Sequence, residues 1–179
     1  FACGDIPVVP PQEQGAEAAV FQGVKLTPIA EQGNNALAGT QAIDRDSYIL
    51  TIDGLGEKPL AITYDGLAAY PQESYLMDLN CVEGWSFTAK WTGPKLSSIL
   101  ADAGVKPEAK IAIFYTADAP EGYTSLDVNY IIENDILLAL KLNDVILPED
   151  RGFPVQVVAK SKFGYKWAKW VTRIELSSD

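Results

Sequence analysis

The chain has 179 residues, of which 47% are hydrophobic and 21% are charged, as in an ordinary globular protein of one domain or one domain with a tail. Its formal net charge of −10 argues against nucleic acid or an anionic membrane as the main partner. The absence of histidine excludes Ser-His nucleophile arrangements and most zinc sites.

The first 30 residues are rich in proline, glutamine, glutamate and alanine, which predicts a tether over residues 1–30 ahead of a domain over residues 31–179. One short helix is expected near residues 12–21. Phe1-Ala2-Cys3-Gly4 resembles the end of a bacterial lipoprotein signal, so Cys3 is a candidate lipid anchor. An arbitrary chain boundary explains these four residues equally well.

Hydrophobic patterning predicts a series of short elements after the turn residues 32–35. In chain order these are strands over 47–54 and 60–63, a helical turn over 64–70, strands over 74–79 and 85–91, and a helix from Pro94 to its stop at Gly104. Strands over 111–115 and 122–128, a strand or short helix over 136–142, and strands over 155–159 and 168–176 complete the series. The predicted fold class is α+β, rich in strands.

Cys81 lies in a short turn, opened by Gly84, between the strands predicted over 74–79 and 85–91. A thiol in that place can face a cleft, and a thiolate is a strong ligand for soft metals. The alternative is that Cys81 simply fills space in the core, as free cysteines often do. A disulfide between Cys81 and Cys3 is the less favoured arrangement.

Positive charge is concentrated near the end of this acidic chain. Between residues 151 and 174 there are six basic residues and no acidic one: Arg151, Lys160, Lys162, Lys166, Lys169 and Arg173. Such a concentration predicts a site for an anionic ligand, although lysines on a strand are also typical of its solvent face. The aromatic residues between 163 and 170 either wall a planar ring system or belong to the core, and we expect core packing for at least one of Trp167 and Trp170.

Five motifs occur in order along the chain: Cys81-Val82-Glu83-Gly84-Trp85-Ser86, Trp91-Thr92-Gly93, Gly122-Tyr123-Thr124-Ser125-Leu126, Arg151-Gly152-Phe153-Pro154 and Gly164-Tyr165-Lys166-Trp167-Ala168-Lys169-Trp170. Together they resemble the sulfite oxidase family of molybdopterin-binding domains, over roughly residues 33–176. The resemblance implies a β-rich mixed-sheet fold with a few short helices and a molybdopterin cofactor carrying molybdenum.

The resemblance also implies roles for individual residues. Cys81 would ligate molybdenum beside the two dithiolene sulfurs of the cofactor. Asn35, or Asn34 after a one-residue slip, would contact the pterin, as would Asp118 or its rival Thr116. Further cofactor contacts would come from residues near the last strand, with the basic stretch receiving the phosphate: Lys166, Trp167, Ala168 and Lys169.

The sequence departs from the family in two places. Arg151 stands where the family usually has His or Asn, and Gln156 stands where it usually has Arg, so a bidentate phosphate clamp is lost. We hypothesise that Arg151 supplies the charge lost at Gln156. In sulfite oxidases a further dimerisation domain supplies residues at the rim of the active site, and this sequence shows no counterpart of that domain up to its last residue, Asp179. A different rim is therefore expected, with four residues as candidates, although core packing is favoured for the last: Tyr115, Tyr123, Glu83 and Trp85.

The favoured function is a molybdopterin-dependent oxidoreductase that transfers an oxygen atom to or from a small substrate. The chain has no haem-attachment Cys-x-x-Cys-His, so electrons would be exchanged with a separate partner. One alternative is a cofactor-free extracytoplasmic binding or structural protein, favoured by Gln156. A redox-sensing thiol at Cys81 is a third. The resemblance and Cys3 together predict a location in the periplasm or on the outer face of a bacterial membrane.

Overall fold

The computed structural model describes residues 15–179. The candidate anchor Cys3 and the beginning of the helix expected near residues 12–21 lie outside this range. The strands, in chain order, are β1 (Val20–Phe21), β2 (Val24–Lys25), β3 (Ile49–Gly54), β4 (Leu60–Thr63), β5 (Gln72–Asn80), β6 (Ser86–Pro94), β7 (Ile111–Thr116), β8 (Ala119–Asp127), β9 (Leu137–Ala139), β10 (Lys141–Leu142), β11 (Val145–Ile146), β12 (Gln156–Val158) and β13 (Val171–Ser177).

Two larger sheets organise the domain. One has five strands in the order β4-β3-β13-β7-β8, and the other has four in the order β11-β10-β6-β5. In the first sheet β13 is parallel to β3 and antiparallel to β7, so the sheet is mixed. Small paired sheets β1-β2 and β9-β12 complete the strand pairing. The expected β-rich α+β fold with a mixed sheet is confirmed.

Within the described part of the chain, three short α-helices connect the strands: α1 (Tyr64–Ala69), α2 (Leu96–Ala103) and α3 (Val128–Glu133). Helix α2 ends as predicted at Gly104, whose φ of +69° suits glycine and whose N–H bonds the carbonyls of Leu100 and Ala101. Pro94 belongs to the end of β6 and does not open α2 as expected. The ambiguous segment 136–142 forms strands β9 and β10.

The leading hairpin β1-β2 packs on the domain. The Ala18 N–H bonds the Asn143 carbonyl at 2.8 Å, and the Thr27 N–H bonds the Thr88 carbonyl at 2.8 Å. Leu26, between them, is 2% exposed. The helix expected near 12–21 is wrong over residues 15–21, which contain a short strand. The tether interpretation is likewise revised for residues 17–30, because these contacts bind them to the domain.

The β5-β6 hairpin positions the turn that contains Cys81. Its nine residue pairs run from Gln72 opposite Pro94 to Asn80 opposite Ser86, so residues 81–85 form the tip. Trp91 of β6 is fully buried and meets the buried Trp167 ring edge-on, with 5.0 Å between centroids. This contact fixes the hairpin against the segment before β13. Within residues 15–179, no helix combines the length and apolar character that crossing a membrane requires.

Candidate functional site

A cavity of about 480 Å³ opens beside the tip of the β5-β6 hairpin. Eight of the ten predicted cofactor-contacting residues line it, although they come from four separate parts of the chain. These are Asn34, Asn35, Cys81, Asp118, Arg151, Gln156, Trp167 and Lys169. Lys166 and Ala168 are not among the lining residues. The structure therefore brings together most of the residues singled out by the resemblance.

The turn at Cys81 holds the thiol at the cavity wall. The Cys81 N–H bonds the Trp85 carbonyl at 2.9 Å, and the Gly84 N–H bonds the Cys81 carbonyl at 3.0 Å. Gly84 has a φ of +94°, which favours glycine and lets the chain reverse over so few residues. Cys81 is a half-buried free thiol. The predicted cleft-facing thiol is thus found, and the space-filling alternative is not.

Residues 33–35 form the wall opposite Cys81. Nδ2 of Asn35 lies 3.0 Å from Oε2 of Glu83 and 3.8 Å from the Cys81 sulfur. Gly33 packs directly on Trp85, since a Cβ atom at Gly33 would lie 2.4 Å from the indole ring. The wall therefore touches both the thiol and the turn that carries it.

Two cations line the cavity, and both are held by neighbouring groups. Lys169 Nζ donates to Asn34 Oδ1 at 2.7 Å and to the Asn35 carbonyl. Burial and then the neighbouring charge of Arg151 lower the pKa of Lys169 to about 8, against the opposing effect of Asp118 and Asp150. Burial also lowers the pKa of Arg151, which is 8% exposed. Arg151 and Lys169 are therefore two neighbouring cations in the lining of one cavity.

The other four basic residues of the predicted cluster lie elsewhere. Lys166 Nζ donates to the Ser125 carbonyl at 2.8 Å, and Lys162 Nζ lies 4.7 Å from the Tyr130 ring centroid. Arg173 pairs with Asp53 at 2.9 Å, and Lys160 is exposed. The expectation that all six basic residues share one site is wrong, since two of the six line the cavity. Side chains in loops and on opposite strand faces point in different directions.

The rim candidates divide in the same way. Glu83, Trp85 and Tyr123 line the cavity. The pKa of Tyr123 is raised first by burial and then by electrostatic interaction with Asp118 and Cys81. Asp118 accepts a 2.7 Å hydrogen bond from its buried rival Thr116.

Tyr115 is not at the mouth, contrary to expectation. Its hydroxyl donates to Glu175 at 2.5 Å, and Arg173 lies over its ring. Both partners belong to β13, so the side chain of Tyr115 is engaged within the five-stranded sheet.

Gln156 is 6% exposed, and its Oε1 accepts a 3.3 Å hydrogen bond from the Trp91 indole N–H.

The rim of the cavity also has apolar residues that were not predicted to belong to the site. Leu37 and Val82 line the cavity and are 73% and 65% exposed, and Tyr165 is 54% exposed. Val82 and Tyr165 lie inside recognised motifs, but nothing in the sequence distinguishes Leu37.

The donor set fits a metal that is carried by an organic group. Among residues 15–179 there is no cluster of three or more Cys, Asp or Glu side chains that could hold a metal ion. The protein therefore offers one thiolate at Cys81, so a metal bound there needs further ligands from a cofactor. An anionic cofactor suits the cavity, because the cation Lys169 lines it together with the thiol.

Comparison with known proteins identifies the family. Residues 37–179 match the family model described as the oxidoreductase molybdopterin binding domain. The chain is 34% identical over 129 residues to YedZ1 of Azospira oryzae, which is named as a candidate subunit of a protein-methionine-sulfoxide reductase. It is 33% identical over 159 residues to mitochondrial sulfite oxidase of Drosophila melanogaster.

These matches cover 72% and 74% of this chain but only 48% and 27% of the two relatives. The fold is shared with the sulfane dehydrogenase SoxCD of Paracoccus pantotrophus, with a TM-score of 0.74 and 23% identity over 99% of this chain and 56% of that chain. The family match extends over more than half of the chain and includes the Cys81 turn, both cations of the cavity and β13. The chain belongs to the family of oxidoreductase molybdopterin-binding domains.

Proposed function

We propose that this domain binds molybdopterin with molybdenum in the cavity beside Cys81 and transfers an oxygen atom to or from a small substrate. Electrons would be exchanged with a separate partner. The observation that supports this most directly is the Cys81 thiol, which lines a cavity of about 480 Å³, while residues 15–179 contain no cluster of three or more Cys, Asp or Glu side chains that could hold a metal by itself. When bound, the cofactor supplies a metal that changes between two oxidation levels.

Different lining residues would contact different parts of the cofactor. Cys81 would ligate the metal, and Asn34, Asn35 and Asp118 would contact the pterin. Lys169 would receive the phosphate, because a charge-assisted hydrogen bond is roughly twice as strong as a neutral one. Gln156 would add a neutral amide donor. Lys166 does not line the cavity, and its ammonium donates to the Ser125 carbonyl.

We infer that the substrate is an uncharged oxo compound, such as a sulfoxide or an N-oxide, rather than a small oxyanion. Glu83 stands next to the thiol on the exposed side, and both cations of the cavity already donate to backbone or amide oxygens. An oxyanion near Cys81 would therefore meet the Glu83 carboxylate, while Lys169 is assigned to the cofactor phosphate and Arg151 is bound to backbone carbonyls. The exposed Leu37 and Val82 suit an apolar group on the substrate.

The cofactor is tested by protein made in a host that synthesises molybdopterin. We expect about one molybdenum per chain and a visible thiolate-to-metal absorption band, because a coordinated thiolate is deprotonated. Cys81→Ser should abolish the band, whereas Cys3→Ser, the same change at the other cysteine, should retain it. Metal-free wild-type protein from such a host would overturn the proposal and favour a cofactor-free binding protein, as the Gln156 substitution suggests.

Loaded protein with an artificial electron donor tests the substrate class. Reduction of a sulfoxide takes up two electrons and two protons and releases the sulfide and water. We expect turnover of methyl phenyl sulfoxide, and for Glu83→Gln a larger gain in kcat/KM with the oxyanion nitrate than with the sulfoxide. Efficient wild-type turnover of nitrate or of sulfite, with an electron acceptor for the latter, but not of the sulfoxide would refute the uncharged class.

We propose an extracytoplasmic location, with Cys3 as a lipid anchor. The support is the small-residue sequence around Cys3 and the resemblance described above. Metabolic labelling with a radioactive fatty acid in a bacterial host, from the full-length gene, should label the wild type and leave Cys3→Ser unlabelled. An unlabelled wild type would exclude the anchor.

A further inference from the structure

Arg151 is bound to the segment of residues 29–35, here called the strap. Its Nη1 donates to the Gly33 carbonyl at 3.0 Å, and its Nη2 donates to the carbonyls of Ile29 and Gln32 at 3.0 and 3.1 Å. Its Nε lies 3.4 Å from Oδ2 of Asp150. Three of the five guanidinium N–H groups are thus used by one short segment, which lies more than 100 positions away in sequence.

These contacts leave no edge of the guanidinium free for a bidentate contact. A phosphate clamp needs two parallel N–H donors on one edge of the planar group. Both Nη2 donors of Arg151 are used by the strap, and the buried Nε lies 3.4 Å from the Asp150 carboxylate without a hydrogen-bond partner among the described residues. The two remaining donors, one on Nη1 and the one on Nε, lie on different edges of the planar group. Arg151 is therefore poorly suited to replace the arginine that the family usually has at the position of Gln156.

The strap carries the residues that face the thiol. Gly33 packs on the Trp85 ring, and Asn35 reaches both Glu83 and the Cys81 sulfur. Asn34 donates to the Asp150 carbonyl at 2.7 Å. A shift of the strap would move Asn35 away from Cys81 and would widen the cavity on this side.

Lys169 also binds the strap, but its ammonium can exchange these contacts for a contact with an anion. Its ammonium contacts Asn34 Oδ1, the Asn35 carbonyl and, at 3.5 Å, the Asp150 carbonyl. A lysine ammonium is a point charge on a flexible stem, so it can turn toward an anion. The buried, planar Arg151 group cannot turn without breaking three bonds to backbone oxygens.

We propose that Arg151 is a positioning residue that holds the strap closed over the cavity and keeps Asn35 on Cys81, while Lys169 is the cation that meets an anion in the cavity. The role of the strap in cofactor binding rests on the proposed function. The different roles of Arg151, which holds the strap, and Lys169, which meets an anion, do not rest on that function, because they can be tested in metal-free protein.

Two variants of Arg151 test, in metal-free protein, whether its hydrogen bonds hold the strap in place. Arg151→Lys keeps a positive charge but loses the planar fork, and Arg151→Met loses both. We expect amide hydrogen exchange in residues 29–37 to rise about tenfold or more in both, the change expected from losing one charge-assisted bond. Alkylation of Cys81 by iodoacetamide should accelerate by a similar factor. Arg45→Lys, a matched change in an exposed ion pair with Asp65, should alter neither rate.

Binding of inorganic phosphate distinguishes the two cations. We expect Arg151→Lys to retain phosphate affinity within about twofold, whereas Lys169→Met should lose about tenfold or more. Unchanged exchange in residues 29–37 together with weakened phosphate binding in Arg151→Met would overturn the proposal.

A measurement on the wild type needs no substitution and so is independent of whether the variants fold. Saturating phosphate should leave the side-chain NMR signals of ¹⁵N-labelled Arg151 unshifted, because its donors remain on the strap. A large phosphate-induced shift of these signals would identify Arg151 as the anion ligand. Absence of molybdenum from loaded preparations would refute the proposed function but would not affect either result.

Discussion

Lys169 is a base whose charged form is disfavoured by its surroundings. Burial and the positive charge of Arg151 lower its pKa to about 8, from an ordinary value of 10.5. Because the folded pKa is depressed, the unfolded chain binds more protons than the folded one between about pH 8 and pH 10.5. The contribution of Lys169 to folding stability is therefore unfavourable below about pH 8 and is relieved as the pH rises through this window.

Phosphate binding to metal-free protein should weaken as the pH rises through about 8, because Lys169 loses the charge that attracts the anion. Isothermal titration calorimetry between pH 7 and pH 10 measures this loss, after correction for phosphate ionisation. Lys169→Met should bind weakly at every pH in this range. A wild-type affinity that stays constant to pH 10 would show that Lys169 is not the anion ligand.

Gly33 is required by the close approach of the strap to Trp85. A Cβ atom there would lie 2.4–2.8 Å from three ring atoms, so Gly33→Ala should displace the strap or the indole. We expect a loss of about 1–3 kcal/mol in the free energy of unfolding, as for other overpacked sites, measured by urea denaturation. Gly15→Ala, where the added Cβ meets nothing within 4 Å, is the matched control. Equal stability of the two variants would contradict the packing argument.

The sequence predicts which residues belong to the site better than it predicts which way their side chains point. Cys81, Asn35 and its alternative Asn34 all line one cavity, and their cofactor contacts remain predictions. The grouping of Lys166 with Lys169 failed because a count of charges does not report which way each side chain points. They lie three positions apart in the sequence, and Lys166 bonds the Ser125 carbonyl outside the cavity.

Strand β6 has a comparably tight contact at the level of elements. A Cβ atom at Gly93 would lie 1.9 Å from the Leu138 carbonyl oxygen of β9, which is backbone and cannot turn aside. Gly93→Ala should therefore separate β6 from β9 and cost about 3 kcal/mol or more, the upper part of the range for overpacking. Thermal unfolding followed by tryptophan fluorescence tests this. A melting temperature within a degree or so of wild type would rule out the close crossing.

The elements with a strong periodic signal were the ones predicted well. Strand β4 coincides with its predicted span, and α2 ends at the predicted Gly104. Helix α3 was missed because it has only six residues and follows β8 without a break, starting at an Asp127 cap that the strand pattern had absorbed. The β1-β2 hairpin was missed because its two-residue strands are too short for any periodicity.

At the level of the whole molecule, Asn143 joins the leading hairpin to the domain. It is fully buried with a φ of +47°. Its Oδ1 accepts from the Lys90 N–H, and its Nδ2 donates to Glu17 and to the Thr27 carbonyl. These contacts explain why a segment that resembles a linker by composition is packed, since composition does not reveal a partner 116 positions away.

Asn143→Gly keeps the backbone conformation and removes the side-chain bonds. We expect it to cost about 1–3 kcal/mol, because buried donors and acceptors lose their partners, and to make residues 15–28 more sensitive to limited proteolysis. Asp135→Gly is a matched change at another position of positive φ, where only an exposed ion pair is lost, and should alter stability by at most about 1 kcal/mol. Unaltered proteolysis in Asn143→Gly would mean that the hairpin is held by other contacts.

Strand β13, the final strand described, is the central strand of the five-stranded sheet, with β3 on one side and β7 on the other. During synthesis, β3 and β7 are therefore made before the strand that joins them, and each presents an unpaired edge until residue 177 has left the ribosome. The segment with Lys169 directly precedes β13, so the part of the cavity that Lys169 lines is completed in the same late event. A chaperone that shields those two edges would thus also decide when a nascent chain becomes able to accept its cofactor.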